Sequence, residues 1–180
     1  YLELAGEAGY DEGRIREIGE ALDYATHWLK YSAGRELVND VLNVNCDDRD
    51  RHRRLVDTLS DRAERDVGDQ LDAAIPHLES EHLDNGARLY RIDVERHAKR
   101  FTYPAPGKTT GKIHDRKVAE TGDPVITIGY GPDFAVLRSD GVRLDIPEMV
   151  SELKAEITGA GVSGGGGRST ASDSTSISVS

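Results

Sequence analysis

The chain of 180 residues is acidic, with 33 Asp and Glu against 23 Lys and Arg and a formal net charge of −10. This length suffices for one buried core with a helical annex. Cys46 is the only cysteine, which excludes an intramolecular disulfide and a thiolate metal cluster. Neither a signal peptide nor a run of about 18 apolar residues occurs, so the sequence predicts a cytoplasmic protein without membrane partners.

The types of charged residue carry further information, because most bases are Arg and most acids are Asp. Such a balance keeps a protein soluble in concentrated salt and predicts a halophilic source such as a haloarchaeon. The alternative is an ordinary acidic cytosolic protein from a GC-rich genome. In molar salt the screening length falls to about 3 Å, so only charges in direct contact would interact.

Residues 1–46 carry a helical pattern. Apolar residues recur there at spacings of three and four and predict one buried stripe: Ile15, Ile18, Leu22, Ala25 and Leu29. The pattern is already under way at Tyr1, and Met149 is the only methionine. We therefore expect this segment to continue from a preceding domain.

Residues 47–84 predict a long connector helix with one apolar side and one charged side, running to about Leu83. The apolar side is expected to contain Leu55, Leu59, Ala63, Val67, Leu71, Ala74, Ile75 and Leu78. Pro76 lacks a backbone donor and should end or kink this helix. Asn85 and Gly86 then predict a turn.

Residues 85–167 alternate between strand and helix signals. A strand from Arg88 to Val94 is followed by a helix from about Thr110 to Thr121, and a hairpin follows over Val125–Leu137. A strand, a helix and a second strand in this order predict a parallel pair. The predicted fold class is α/β, with a helical N-terminal connector followed by a small mixed-sheet α/β domain.

Phosphate-binding groups come together after the second strand of the hairpin. Arg138 and Ser139 supply a guanidinium and a hydroxyl where the chain leaves the sheet. Asp145 can cap a helix that Pro147 opens. The glycine run 164–167 then permits a close approach of the backbone to a ligand.

This order of features resembles the C-terminal substrate-binding domain of the DHH phosphoesterases, the RecJ-like family that hydrolyses phosphodiester bonds in nucleic acids and nucleotides. The hallmark of that domain is an Arg-Ser pair followed by a Gly-Gly-Gly-His loop. Arg138 and Ser139 match the pair, and the first three loop positions are matched by Gly164, Gly165 and Gly166. Gly167 stands where the family has its histidine.

The resemblance also implies what this chain lacks. The Asp-His-His signature and the metal-binding aspartates of the family do not occur in it, so no catalytic residue, metal ligand or cofactor is expected here. A catalytic domain that holds manganese or magnesium is expected before Tyr1. Residues 168–180 form a Ser/Thr-rich segment where the family has a last core strand, so we expect a disordered tail and a domain incomplete at its C-terminus.

A basic stretch interrupts the acidic chain and predicts a nucleic-acid surface. Its cations outnumber its acids, and Phe101 and Tyr103 lie among them, as on surfaces that bind single strands. The candidate contact residues are Arg96, Lys99, Arg100, Lys108, Lys112 and Lys117. The expected partner is single-stranded nucleic acid or a short oligonucleotide; the alternative is a helix face whose lysines only maintain solubility.

The sequence leaves two functions open. The first is phosphate binding as the substrate-binding portion of a RecJ-like phosphoesterase or exonuclease, inactive without its catalytic domain. The second is a stand-alone, non-catalytic nucleic-acid-binding or interaction module. The coding sequence upstream of Tyr1 distinguishes them, because only the first requires an Asp-His-His segment there.

Overall fold

The computed structural model of the chain describes residues 10–28, 49–98, 102–156, 162–165 and 176–179. The chain divides into two compact units, Tyr1–Gly68 and Asp69–Ser180. Within the described residues, no helix combines the length and the apolar character that crossing a membrane requires.

The described part of the first unit is largely helical. Helix α1 spans Glu12–Trp28, and helix α2 spans Arg49–Ala74 and passes the unit boundary after Gly68. Asp11 caps α1 through a 2.8 Å hydrogen bond from the Arg14 amide. Among the described residues of this unit, Ile18, Ala21, Ala25 and Val56 form a buried hydrophobic cluster. The predicted apolar stripe of α1 is therefore confirmed at Ile18 and Ala25, while Leu29 lies outside the described residues.

Helix α2 is shorter than the sequence predicted. It ends at Ala74 and is followed by a 3-10 turn, Ile75–His77, that contains Pro76. Pro76 thus ends the helix as predicted, but the extension to Leu83 was wrong. The predicted apolar side is also wrong at its start, because Leu55 is 44% exposed and Val56 is buried in its place.

The second unit contains a six-stranded mixed sheet with the order β1-β2-β3-β4-β6-β5. The strands are β1 (Glu79–His82), β2 (Arg88–Asp93), β3 (Val125–Gly131), β4 (Phe134–Asp140), β5 (Val162–Gly165) and β6 (Ser176–Val179). Strands β2 and β3 are parallel, and β3 and β4 form an antiparallel hairpin. The predicted α/β class, the parallel pair and the hairpin are confirmed.

Strand β1 was not predicted, because its sequence, Glu-Ser-Glu-His, has no apolar residue and all four residues are exposed. It pairs with β2 through the predicted Asn85-Gly86 turn, where Gly86 has a positive φ of 83°. Strand β2 ends at Asp93, one residue earlier than predicted. A short helix α3, Val94–His97, follows because the Asp93 carboxylate accepts the Arg96 amide.

Helix α4, Pro106–Thr121, covers one face of the sheet. It begins one turn before the predicted Thr110 because Pro106 suits the first helical position. It ends at Gly122, which adopts a left-handed conformation with φ 68°. A Cβ on Gly129 of β3 would overlap the Thr110 hydroxyl, so glycine at this position lets α4 pack closely on β3.

The C-terminal part differs most from the prediction. Helix α5 spans Ile146–Glu156, and Asp145 caps it as predicted, with a 3.1 Å hydrogen bond from the Glu148 amide. The tail expected to be disordered contains β6, which pairs with Ala135–Leu137 of β4 and with β5. Strand β4 is therefore paired on both sides over Ala135–Leu137. Residues 168–175 lie outside the described part of the chain.

Candidate anion-binding site

Arg138 lies near the end of β4 and points toward helix α4. It is paired across the sheet with Thr127 of β3. Its guanidinium lies against Gly111, where an added Cβ would be 3.8 Å from Arg138 Nε. The Nε atom is buried without a hydrogen-bond partner in the described part of the chain. Because an unpaired buried donor costs free energy, an anion that accepts from this guanidinium would be stabilised.

A cavity of about 240 Å³ opens beside this guanidinium. Its lining residues come from α4 and β4: Gly107, Lys108, Gly111, Lys112, His114, Asp115 and Arg138. Three cationic side chains and one carboxylate therefore surround one space. We call it the α4–β4 pocket. The two glycines keep the space open because they have no side chains.

The first half of α4 adds to the positive potential of the pocket. Its segment Gly-Lys-Thr-Thr-Gly-Lys repeats a Gly-Lys pair after four residues, which brings Lys108 and Lys112 onto one helix face. Ala105 at the N-cap supplies no side-chain acceptor for the first-turn amides. Because Gly107 and Lys108 of the first turn line the pocket, the positive end of the helix dipole lies close to it without a capping carboxylate.

The two pocket lysines differ in their contacts. Lys108 Nζ is 2.5 Å from the Tyr103 hydroxyl and 4.9 Å from the centre of its ring. Tyr103 is 3% exposed, so this contact fixes the position of Lys108. Lys112 has neither a hydrogen bond nor an ion pair with any residue that the structure describes. Its ammonium is therefore available to a ligand.

His114 forms the inner wall of the pocket and is only 3% exposed. Its Nδ1 lies 3.1 Å from the hydroxyl of Thr127, which is fully buried. Burial lowers the pKa of His114, and the nearby charge of Arg138 lowers it further, whereas Asp115 and Asp140 act in the opposite direction. The imidazole is therefore neutral at neutral pH.

The residues of the predicted phosphate site do not all lie close together. Ser139 follows Arg138 in an extended strand, so the two side chains point to opposite faces of the sheet. Ser139 is 1% exposed, and its hydroxyl is buried without a partner among the described residues. Gly164 and Gly165 belong to β5 rather than to a loop, and β6 separates them from β4, a distance of roughly 10 Å. Gly166 lies outside the described residues.

Only some residues of the predicted basic surface line the pocket. Lys108 and Lys112 line the α4–β4 pocket with Arg138. Lys117 lies further along α4 and bonds to Glu120 at 2.7 Å. Arg96 is exposed on α3 and does not line the pocket. Lys99 and Arg100 lie outside the described residues.

Sequence reasoning missed four pocket residues: Gly107, Gly111, His114 and Asp115. A signal for the two glycines was present, because Gly-Lys pairs four residues apart in a helix predict a small-residue groove flanked by cations. His114 and Asp115 could not be found in this way, since their role depends on Arg138 of another element. In the described part of the chain, no group of three or more His, Cys, Asp or Glu residues is placed to hold a metal ion.

The chain is similar in sequence and fold to a protein of known structure. Among solved structures, the chain matches one titled "Member of s1p family of ribosomal proteins PF0399 DHH domain", with a TM-score of 0.79 and 36% sequence identity. The match covers 99% of this chain and 41% of that chain. This chain is thus similar, over almost its whole length, to part of a DHH-domain protein.

A relative among curated proteins is "Uncharacterized protein MJ1198" from Methanocaldococcus jannaschii, which is 40% identical over 164 residues. The alignment includes 87% of this chain and 22% of the relative, so the chain spans about a fifth of the length of that protein. No family model matches the chain.

Proposed function

We propose that this chain binds phosphate groups of a nucleic acid or nucleotide in the α4–β4 pocket, as the substrate-binding portion of a RecJ-like DHH phosphoesterase. The observation that carries the proposal is the buried, unpaired Nε of Arg138 beside the two lysines of the Gly-Lys repeat. Similarity to part of a DHH-domain protein supports the phosphoesterase class.

The chemistry of the pocket favours an anion with several oxygens. The Arg138 guanidinium presents a planar fork of donors that matches two phosphate oxygens. Lys112 adds a mobile ammonium, and the start of α4 adds its dipole. Asp115 partly offsets these charges, which leaves an excess of two positive charges around the cavity.

Hydrolysis is assigned to a part of the protein beyond these residues. Metal-dependent phosphoesterases cleave with a metal-activated water, and these 180 residues contain no Asp-His-His signature. We expect manganese or magnesium to act in that catalytic part. The chain alone is therefore expected to bind a short single-stranded oligonucleotide without cleaving it.

The test combines binding with cleavage. Fluorescence anisotropy should show binding of a short labelled single-stranded oligonucleotide, with affinity falling as salt rises. Three phosphate contacts give a log–log slope of about −2 for a single strand. Backbone amide NMR should locate the largest shifts at residues 107–115 rather than at the exposed strand β1.

The outcomes separate the alternatives. Absence of binding at low salt would overturn the proposal, and shifts confined to β1 or α1 would overturn the assignment to this pocket. Cleavage of the oligonucleotide by the purified chain with manganese would overturn the division between binding and catalytic parts. Binding without cleavage, centred on α4, is the expected result.

A further inference from the structure

His114 has one ring nitrogen that the fold itself does not use. Its Nδ1 is held by Thr127, which fixes the orientation of the ring on the inner wall of the pocket. The buried side-chain atoms without a partner, among the described residues, are Arg138 Nε and Ser139 Oγ. Nε2 of His114 is not one of them, and no second hydrogen bond of this residue exists within the described chain. Nε2 is therefore not fully enclosed by the protein, and the residue that carries it lines the cavity.

We propose that His114 contacts the phosphate in the α4–β4 pocket through Nε2 and takes up a proton when the anion binds. The proposal rests on the function proposed above and adds a residue and a coupled proton to it. When Thr127 donates to Nδ1, the neutral ring carries its hydrogen on Nε2 and can donate it to a phosphate oxygen. A protonated ring donates from both nitrogens.

The direction of the coupling follows from the surroundings of the ring. In the free protein, burial and the charge of Arg138 hold the pKa of His114 below its usual 6.5, against the opposing effect of Asp115 and Asp140. A bound anion offsets Arg138 and stabilises the imidazolium, so it raises this pKa. Because the bound state then holds more protons, affinity increases as pH falls from the bound-state pKa to the free-state pKa.

Other groups near the ring do not produce this dependence. Lys108 and Lys112 share the pocket, and Tyr90 lies beside Thr127 in the sheet. Histidine is the side chain whose ordinary pKa lies near neutral pH, and His114 is the histidine that lines this pocket. It is therefore the pocket group whose charge we expect to change when the anion binds.

The experiment uses sulfate, which keeps its charge over this range and so contributes no proton of its own. Isothermal titration calorimetry in buffers of different ionisation enthalpy measures the protons taken up on binding. The wild type should take up a fraction of one proton, and its affinity should rise by up to about tenfold per pH unit as pH falls. His114→Asn should remove both effects. His82→Gln, at an exposed position on β1, should retain them.

Each outcome decides a separate question. Sulfate binding without proton uptake, or with uptake that persists in His114→Asn, would overturn the role of His114 and leave the proposed function intact. Failure of the wild type to bind sulfate or oligonucleotide would overturn the proposed function itself. If His114→Asn does not fold, the His114 ring signals of the wild type give the answer. Sulfate should move their titration midpoint to higher pH, and an unchanged midpoint would contradict the proposal.

Discussion

The two halves of helix α4 carry the same kind of side chain in different surroundings. In the first half, Lys108 and Lys112 border a cavity that also contains Arg138. In the second half, Arg116 and Lys117 are bonded to Glu120 at 2.9 and 2.7 Å. A basic stretch in a sequence therefore does not identify a binding surface by itself. Whether its cations are already held in ion pairs by neighbouring acids must also be known.

The chemistry of Glu120 shows how this neutralisation works. Hydrogen bonds from Lys117 and then from Arg116 hold the pKa of Glu120 below its usual value of 4.5. The carboxylate is therefore ionised throughout the neutral range, and the two cations remain paired with it. Lys117 also lies 5.6 Å from the centre of the Tyr90 ring, which gives its ammonium a second protein partner.

The largest effect on binding is expected for Arg138→Ala. This substitution removes the guanidinium and its charge-assisted hydrogen bonds to the phosphate. The free energy of oligonucleotide binding should therefore become less favourable by about 1 to 3 kcal/mol. Fluorescence anisotropy at low salt measures this loss. Arg138→Lys is the matched control, because it keeps the charge and removes the planar fork.

The comparison between these two variants separates geometry from charge. If the fork matters, Arg138→Lys should recover only part of the lost affinity. Full recovery would mean that only a positive charge is needed at the end of β4. If both variants melt like the wild type and their oligonucleotide affinity changes by less than about twofold, Arg138 is not part of the site.

A second prediction uses the open space at Gly111. Gly111→Ala should stabilise the fold by about 0.5 to 1 kcal/mol, since alanine favours a helix interior, and its methyl group fits at normal contact distance from Arg138. The methyl group occupies part of the pocket, so anion affinity should fall severalfold. Gly19→Ala is the matched control, because Gly19 lies inside α1 with no atom within 4 Å of an added Cβ.

The two glycine variants should therefore agree in one property and differ in the other. Thermal or urea unfolding should show a similar gain for both, while calorimetry with sulfate should show weaker binding only for Gly111→Ala. Unchanged sulfate affinity in Gly111→Ala would contradict the assignment of the ligand to this cavity.

The sequence predicted the local elements of the second unit better than their assembly. The hairpin β3–β4, the turn at Gly86 and the cap at Asp145 follow from local turn chemistry and hydrophobic pattern, and all three are present. Strand β1 was missed because pairing with β2, rather than an apolar face, defines it. Strand β6 was missed because its strand partners, β4 and β5, precede it by many residues.

The candidate site was predictable only in part for the same reason. Arg138 could be proposed from its position after an apolar strand, and Lys108 and Lys112 from local charge. Their proximity to His114 could not be predicted, because it depends on the packing of α4 on β3 and β4. Gly129 permits this packing. The opposite direction of Ser139 follows from the two-residue period of a strand, which continues through the position where the sequence suggested an exit from the sheet.

The smallest expected effects test the comparison within α4 most directly. Lys112→Ala should weaken oligonucleotide binding a few-fold at low salt and reduce the magnitude of the salt slope by about 0.7, as expected for one lost phosphate contact on a single strand. Lys117→Ala should leave both quantities unchanged, because its ammonium is already paired with Glu120. Anisotropy titrations at several salt concentrations measure both.

Glu120→Gln sharpens this last comparison, because it releases Lys117 and Arg116 without moving them to the pocket. If the position of a cation relative to Arg138 decides binding, releasing these two should not change the salt slope. Because the pKa of Glu120 is lowered by folding, the stability contributed by this pairing is present at neutral pH and disappears as pH falls below its folded-state pKa. The melting temperatures of wild type and Glu120→Gln should therefore converge in acid. A steeper salt slope in Glu120→Gln would instead mean that the whole basic face of α4 binds the ligand through diffuse charge.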